Sequence, residues 1–361
     1  MSPDRLDGIT LIGTNLPGFK TVQAPQDGTN LLRLSDADLR THFLPHRPDP
    51  SQSKAAVKTW RRSLSKVQKF IAPRLTPRPD RRRFPGRFVA PTPSNNSFNW
   101  AGSVANEGGF LEVWGVWQVP NVIVPAGPVP NPHIFGTPTF SITIWVGMDG
   151  GISTLVNPNA STDVCQAGIE VDIGTDSNGN VTFQDSFAWL FWDNGLNPST
   201  SPTQVNFDFS TGDTIAVQVK FVGPSSADSR LNRAGVTFAN LTTGVALNPI
   251  IFDAPASVDF IGDTAEWIVE RPAFGLNAVG QPILANLPAF GEVIFTDAGA
   301  APGPGSDSKN ITILSAAGES QDMLADDNTT ILASEVTSPA LQVSFQATAS
   351  KQDQPPFGPL V

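Results

Sequence analysis

The sequence predicts an all-β fold of antiparallel strands, preceded by a short basic helical segment. Eight runs rich in β-branched and aromatic residues lie beyond residue 98, and several of them alternate in polarity. Glycine (31 residues) and proline (33 residues) mostly separate these runs and indicate many turns. Because no helical pattern lies between the runs, an antiparallel sandwich or barrel is favoured over an α/β fold.

The predicted strands are defined by their apolar runs and by the turns between them. Ser177–Asn180 and Thr242–Gly244 have the composition of hairpin tips. Trp189 and Trp192 are three residues apart in one run, so we expect one in the core and the other in a cleft. The runs cover residues 110–120, 139–148, 163–173, 181–193, 213–223, 234–241, 264–270 and 291–298.

One helix is predicted, near residues 53–71. Its apolar residues recur at steps of three and four, and lysines and arginines occupy its other faces. We interpret it as a helix that packs its apolar stripe on the protein and leaves a basic face in solvent. The apolar positions are Val57, Trp60, Leu64, Val67 and Ile71.

Residues 74–97 are rich in proline and arginine and lack periodicity, which is typical of an exposed linker open to proteolysis. The Arg81–Arg83 run has no interleaved aromatic residues or recognition fold beside it, so we do not expect nucleic-acid binding. We therefore divide the chain into a basic segment (1–93), a β domain (94–349) and a flexible tail (350–361).

Charge is divided unevenly between these parts. Residues 1–93 hold 17 Lys+Arg and 7 Asp+Glu, a net of +10, and the remaining 6 Lys+Arg and 26 Asp+Glu give −20, which sum to the net charge of −10. Because the two parts have opposite signs, the basic segment is predicted to be an intramolecular partner of the acidic domain.

Cysteine usage and hydropathy exclude several classes of protein. The single cysteine, Cys165, rules out an internal disulfide. No apolar stretch is long enough to cross a bilayer, so we expect no membrane insertion. The first ten residues show neither a basic nor an apolar signal region, so no signal peptide is visible and the location is left open.

Elimination narrows the chemistry of residues 94–361. This region contains one histidine (His133, in a Pro/Asn-rich stretch), one cysteine and no tyrosine. A lone loop histidine is usually incidental, and zinc sites with two histidines are impossible here. No nucleotide-binding glycine loop or G-x-S-x-G element is present. We therefore expect acid–base chemistry on Asp or Glu, with no cofactor or metal.

Several short motifs resemble, in order and spacing, those of the glutamic peptidases (eqolisins), over roughly residues 95–347. They are Asn99–Gly102, Trp145–Gly150, Gln166–Gly168, the strand around Trp189 and Trp192, Asn240–Gly244, Ala265–Glu270 and Phe290–Asp297. The resemblance implies a concanavalin-like sandwich of two curved antiparallel sheets. It also implies polypeptide substrates, a monomer, a basic inhibitory propeptide and secretion.

The resemblance also implies site residues. Gln166 and Glu270 match the catalytic glutamine and glutamate, Trp145 and Asp149 match positions that line the site, and Glu170 matches a supporting carboxylate. Trp189 is a further expected substrate contact. A carboxylate can serve as general base for a water attacking the peptide carbonyl, and a carboxamide can stabilise the oxyanion at any pH.

Four residues depart from the family pattern. Arg271 and Pro272 follow Glu270 where an acid and then an aromatic residue are usual, and Phe187 and Phe191 occupy places where carboxylates are usual. Asp185 and Asp193 would replace those carboxylates only after a register shift. These changes bear on substrate preference and pH optimum.

Other interpretations of the same residues are open. Gln166, Glu266 and Glu270 are of types that often lie on strand surfaces. A glycoside hydrolase would use two carboxylates in a tryptophan-lined groove. Glu266 and Glu270 are about 13 Å apart along one strand, which is too far for a retaining pair, so Glu170 with Glu270 is the pair left open. A non-catalytic sandwich that binds peptide or glycan is the third interpretation.

The charge division gives an expectation about activation. We expect the 53–71 helix or its basic neighbours to cover the groove around Gln166 and Glu270. Acid would neutralise carboxylates while lysine and arginine stay charged, so the segment would lift and the linker would be cut between about 74 and 97.

Overall fold

The computed structural model describes residues 5–6, 9–45, 47–48, 50, 54–79, 97–106, 108–130, 137–150, 163–193, 201–222, 233–255, 260–277, 282–301, 311–312, 319–321, 323–324, 331–336 and 341–345. His133, the Arg81–Arg83 run, most of the linker and the 350–361 tail lie outside the described residues.

The first part of the chain contains short strands as well as helices. Its elements are β1 (Arg5–Leu6), β2 (Ile9–Gly13), β3 (Phe19–Val22), a 3-10 turn (Leu31–Arg33), α1 (Asp36–Thr41), α2 (Lys54–Lys66), β4 (Lys69–Ile71) and β5 (Leu75–Pro77). Helix α1 begins with a capping box. The Asp38 amide donates to the Ser35 hydroxyl oxygen, and the Ser35 amide donates to the Asp38 carboxylate.

The rest of the chain is built of strands. They are β6 (Trp100–Ala105), β7 (Glu112–Gln118), β8 (Phe140–Met148), β9 (Val164–Thr175), β10 (Val181–Asp193), β11 (Thr203–Val205), β12 (Thr214–Phe221), β13 (Arg233–Asn240), β14 (Val245–Leu247), β15 (Ile250–Asp253), β16 (Ala265–Glu270), β17 (Ala273–Leu276), β18 (Pro282–Leu284), β19 (Glu292–Phe295), β20 (Gly299–Ala301), β21 (Ile311–Thr312), β22 (Glu319–Gln321), β23 (Met323–Leu324), β24 (Ile331–Val336) and β25 (Leu341–Phe345).

Two sheets form a sandwich. The smaller sheet has the order β22-β6-β16-β8-β9-β10-β11-β5, and the larger sheet has the main path β1-β2-β3-β15-β13-β12-β7-β19-β25-β24-β23. Neighbouring strands are antiparallel, except that β4 pairs in parallel with β14. The prediction of an antiparallel β-sandwich is therefore confirmed.

The main core lies between the two sheets. The indole of Trp267 on β16 crosses this layer and donates to the carbonyl of Trp114 on β7 at 2.8 Å. At Gly115 the sheets approach so closely that an added Cβ would lie 2.8 Å from Val146 Cγ1. Such dense packing fixes how the smaller sheet sits on the larger one.

The strong sequence patterns match the observed elements. All eight predicted strands are present, and the turns after β9 and β13 occur where the hairpin tips were expected, with Gly179 and Gly244 at positive φ. The helix is shorter than the pattern predicts. The chain leaves it at Lys66, because the amides of Gln68 and Lys69 donate to the Gly244 carbonyl and start β4.

Helix α2 does not cover the face of the smaller sheet that holds Gln166 and Glu270. It packs its apolar stripe, with Trp60 and Leu64, on Val116, Leu241 and Ala246, on the outer face of the larger sheet. The helix therefore lies on the opposite side of the sandwich from the face that contains Gln166 and Glu270. The expectation that the helix covers that groove is wrong, because its apolar stripe packs on the larger sheet. The alternative, that its basic neighbours cover the groove, stays a prediction. No helix in the described ranges has the length and apolar character needed to cross a bilayer.

Candidate active site

Strand alternation brings the predicted site residues to one face of the smaller sheet. In register, Glu270 on β16 lies opposite Thr143 on β8, and Thr143 lies opposite Glu170 on β9. Trp145 lies opposite Gly168, and Gly168 lies opposite Trp189 on β10. Because alternate residues of a strand share a face, these side chains lie away from the core between the sheets. We call this surface the site face.

The Glu270 carboxylate is held by three hydrogen-bond donors, two from β8 and one from the residue before β6. Trp145 Nε1 donates to Oε2 at 2.8 Å, and the Thr143 hydroxyl lies 3.5 Å from the same oxygen. Asn99 Nδ2 donates to Oε1 at 3.2 Å, and Asn99 Oδ1 accepts a hydrogen bond from the Ser97 hydroxyl. Donors of this kind favour the ionised carboxylate.

Two glycines make room for Trp145. An added Cβ at Gly147 would lie 2.8 Å from Trp145 Cζ3 and 3.1 Å from Gln166 Cβ. An added Cβ at Gly168 would lie 2.5 Å from Trp145 Cβ. The glycine of the W-V-G motif therefore lies under the indole. The glycine of the Q-A-G motif lies where β8 approaches closely, because its added Cβ would also be 2.1 Å from the Ile144 carbonyl oxygen. The Trp100 ring packs edge-on against Trp145, with a centroid distance of 5.0 Å.

Gln166 lies on β9, opposite Gly147 on one side and Phe191 on the other. Its side chain is 2% exposed, and Oε1 accepts no hydrogen bond from the described residues. A buried amide oxygen without a donor costs free energy and is a frequent feature of functional sites. From strand spacings, the Cα atoms of Gln166 and Glu270 are about 16 Å apart, whereas Glu266 lies directly across Gly147 from Gln166, about 10 Å away.

Glu170 lies two strands from Glu270, with Thr143 between them. It is fully buried, and the Ser141 hydroxyl lies 3.4 Å from Oε1. The carboxylate predicted to support the site is therefore on the site face. Ser141 and Thr143, which the sequence motifs do not single out, link the two glutamates to β8.

The aromatic strand, β10, pairs with β9 without the register shift that would bring Asp185 or Asp193 to the expected carboxylate positions. Phe187 lies opposite Glu170 and Phe191 opposite Gln166, with no register shift at the site. Asp185 therefore does not replace the expected carboxylates and instead binds Arg78 at 3.3 Å. The Arg78 guanidinium also lies 4.2 Å from the centroid of the Phe187 ring. This part of the site face is apolar, and it is bordered by one cation.

The two tryptophans of β10 lie on opposite faces of the smaller sheet, as predicted, and a contact between Trp189 and substrate stays a prediction. Trp189 is on the site face, packed with Trp145 and Phe187. Trp192 is in the core, where its ring contacts Phe221 edge-on at a centroid distance of 5.1 Å. Cys165 also faces the core, and burial raises the pKa of its thiol well above the usual value, which makes it a poor nucleophile.

Asp149 has a structural position at the end of β8. It has a positive φ of 68°, and its two carboxylate oxygens accept hydrogen bonds from the backbone amides of Ile261 and Asp263. Burial, reinforced by the neighbouring Asp263, raises the pKa of Asp149 well above its usual value. A direct contact between Asp149 and substrate stays a prediction.

Glu266 is a buried acid that the motifs alone do not identify as unusual. It lies opposite Gly147 on the site face and is 0% exposed. The interpretation as a surface residue is therefore wrong for Glu266, and also for Gln166 and Glu270. Burial raises the pKa of Glu266 well above its usual value. The Thr264 hydroxyl opposes this shift, and the charges of Asp149 and Asp263 add to it. The alternation of strand β16 was the signal that placed Glu266 beside the site.

Arg271 and Pro272 follow Glu270 without interrupting the sheet. The Arg271 amide donates to the Asn99 carbonyl at 2.9 Å, and its Nε donates to the Ala285 carbonyl at 2.8 Å. The Arg271 side chain is fully buried.

Within the described ranges, no three His, Cys, Asp or Glu side chains converge in an arrangement that could hold a metal ion.

The site face is closed to solvent in this chain. Gln166 is 2% and Glu270 4% exposed, and Trp145, Glu170 and Trp189 are fully buried. Arg78 lies at one side of this face, against Phe187, and Asn99 lies at the other, against Glu270.

Several known proteins are similar to this chain in sequence or in fold. Aspergillopepsin-2 from Aspergillus niger is 28% identical over 217 residues, which cover 57% of this chain and 65% of that protein. The fold is similar to scytalido-glutamic peptidase bound to a peptide-based transition state analog (TM-score 0.47, 21% identity, 69% of this chain and 98% of that chain). It is also similar to SCP-B, an eqolisin in complex with the tripeptide Ala-Ile-His (TM-score 0.46, 21% identity, 69% and 98%).

The model of the Peptidase A4 family matches residues 98–345. This match includes every predicted site residue and covers more than half of the chain. The protein therefore belongs to the Peptidase A4 family, the glutamic peptidases that its motifs resemble.

Proposed function

We propose that this protein is an acid-acting endopeptidase in which Glu270 is the general base and Gln166 stabilises the oxyanion. The carrying observation is the Glu270 carboxylate, which accepts hydrogen bonds from Trp145 and Asn99 on the same sheet face as Gln166. Hydrogen-bond donors favour the charged form of a carboxylate, and a general base has to be ionised before it can accept a proton.

The residues account for each step of peptide hydrolysis. Glu270 removes a proton from a water molecule whose oxygen attacks the scissile carbonyl carbon. The amide N–H of Gln166 donates to the oxyanion that forms, and it remains uncharged across the acid range. Protonated Glu270 then passes the proton to the leaving nitrogen as the C–N bond breaks. Trp145 keeps Glu270 in place throughout.

Digestion of casein at several pH values tests this proposal against the two alternatives. We expect digestion in acid that falls away towards neutral pH and is unaffected by pepstatin, thiol reagents or chelators. No aspartic-peptidase motif pair is present in the sequence. Release of sugar from a glycan without casein digestion would favour a glycoside hydrolase, and binding without cleavage would favour a non-catalytic domain.

We also propose that the full-length chain is a latent precursor, because a peptide cannot reach side chains as buried as Gln166 and Glu270. Self-processing in acid is the expected route to the active form. Strand β5 pairs with β11 through Leu75–Pro77 and is thereby protected from proteolysis. The cut should therefore fall between Arg78 and Ser97, in the part of the predicted linker that follows β5.

Incubation of the purified chain near pH 4, followed by sequencing of the new N-terminus, measures this cut. We expect it in the wild type and not in Glu270→Gln. A chain that stays intact and is nevertheless fully active in acid would contradict the proposed latency.

Asn99 is proposed as a positioning residue for Glu270. Asn99→Ala removes the donor to Oε1, so protons compete more strongly for the carboxylate. We expect the acid limb of the kcat/KM profile to move up by about one pH unit, since a hydrogen bond to a charged group contributes about 1.5–3 kcal/mol. Asn286→Ala is the matched control, because Asn286 is equally buried but donates to the Thr139 carbonyl. An unshifted limb in Asn99→Ala would contradict the role.

A further inference from the structure

The N-terminal region (residues 9–79) is part of both sheets. Strand β3 pairs with β15 through Phe19–Thr21, and β4 pairs with β14 through Lys69–Ile71. Strand β5 pairs with β11 and forms one edge of the smaller sheet. Three stretches of backbone hydrogen bonds therefore join this region to the rest of the chain.

Apolar packing connects the same parts. Trp60, Leu64 and Val67 pack on Val116, Leu241 and Ala246 of the larger sheet. In a second cluster, Leu11, Val22 and Phe43 pack with Ile251. An added Cβ at Gly235 would lie 2.2 Å from the Phe43 ring, which shows how closely this side chain contacts β13. Departure of the N-terminal region would expose these apolar side chains and leave the edges of β15 and β11 unpaired.

Side chains strengthen the strand contacts. The buried Thr21 hydroxyl donates to the Pro249 carbonyl at 2.8 Å. Asn206, beside β11, accepts from the Arg74 amide through Oδ1 at 2.5 Å and donates to the Ala72 carbonyl through Nδ2 at 3.2 Å. None of the groups in these bonds titrates between pH 3 and 7.

Charged contacts between the two parts are few in the described ranges. Arg62 binds Asp297 at 2.9 Å and Arg78 binds Asp185 at 3.3 Å, and each pair has one partner at least 43% exposed. The Lys220 Nζ lies 5.4 Å from the centroid of the Phe43 ring, and burial lowers the pKa of Lys220, a shift that Glu112 opposes and Arg40 reinforces. Partly exposed ion pairs contribute little to stability, so protonating their aspartates removes little of the attachment.

We infer that the N-terminal region stays bound after the linker is cut, at neutral and at acid pH, as a non-covalent light chain of the enzyme. The interaction surface is the outer face of the larger sheet together with the edges at β15 and β11. This differs from the expectation based on charge, in which acid lifts the basic segment. The contacts that hold the region are backbone pairing and apolar packing, and acid weakens neither.

The test does not depend on the proposed activity, because an added protease makes the cut. A site-specific protease sequence is inserted at Gly86 in the full-length Glu270→Gln chain, which is cleaved at pH 7 and applied to size-exclusion columns at pH 7 and pH 4. We expect both fragments in one peak at both pH values, identified by mass spectrometry. Elution of the N-terminal fragment by itself at either pH would overturn the inference.

Interface variants identify which contacts hold the fragment. Arg62→Ala with Arg78→Ala removes both ion pairs, and co-elution should be unchanged at both pH values. Leu64→Asp places a charge in the apolar contact and should release the fragment after cleavage. Circular dichroism of the uncut Leu64→Asp chain shows whether its strands are intact. Release by the arginine substitutions, with Leu64→Asp still bound, would show that charge rather than packing holds the region.

Discussion

The Glu270→Gln enzyme, activated by an added protease at an inserted linker site, is expected to lose about 10²- to 10⁴-fold in kcat/KM for acid digestion of a peptide. Glutamine is nearly isosteric with glutamate, and it can keep a hydrogen bond with Trp145 through its carbonyl oxygen. It cannot accept a proton from water at any pH of interest. Secondary structure and thermal midpoint should stay close to the wild-type values.

Gln166→Ala tests the other half of the pair. Removal of one oxyanion donor typically lowers kcat by about 10²- to 10³-fold. Cys165→Ser is the matched control, because Cys165 is adjacent on β9 and faces the core. Its activity should change little, as should that of His133→Ala. Full activity in Glu270→Gln would falsify the assignment of the base, whereas full activity in Gln166→Ala alone would leave the base in place and remove the oxyanion role.

The second large effect is a loss of stability as pH rises from about 4 to 7. Burial raises the pKa values of Asp149 and Glu266 above those of the unfolded chain, 3.8 and 4.5. The folded protein therefore binds these protons more tightly than the unfolded chain does. Their contribution is fully present below the unfolded pKa values and is lost as pH rises through the folded ones.

For each such group, the free energy of unfolding falls by at most about 1.4 kcal/mol per pH unit between the pKa of the unfolded chain and that of the folded protein. For a protein of this size, the thermal midpoint should fall by about 2–3 °C per pH unit for one group. Scanning calorimetry between pH 4 and 7 measures the slope. The direction of the effect matches a protein that acts in acid.

Glu266→Gln should flatten this slope, because the amide does not ionise. Asp185→Asn is the matched control, since Asp185 lies on the same sheet with a side chain that is 43% exposed. Its slope should equal that of the wild type. If the slopes of Glu266→Gln and wild type are equal, the stability loss comes from other groups and this explanation is wrong.

The sequence determined the fold class and the composition of the site face. The alternation of the 139–148, 163–173 and 181–193 runs placed Trp145, Gln166 and Glu170 on one face, because the two-residue period of a strand is a local property. The same period separated Trp189 from Trp192. The motifs identified Gln166 and Glu270 because residue type and order are read directly from the chain.

Tertiary structure alone decided the contacts between distant segments. Asn99 reaches Glu270 across 171 positions, and neither residue type nor local period predicts that pairing. The short strands β3, β4 and β5 have weak local patterns and form because β15, β14 and β11 offer unpaired backbone groups. The position of the basic helix could not be predicted from the sequence either, because its charge suggested that it packs against the acidic site face. Its position follows from apolar complementarity with Val116, Leu241 and Ala246, which exists only after the larger sheet has formed.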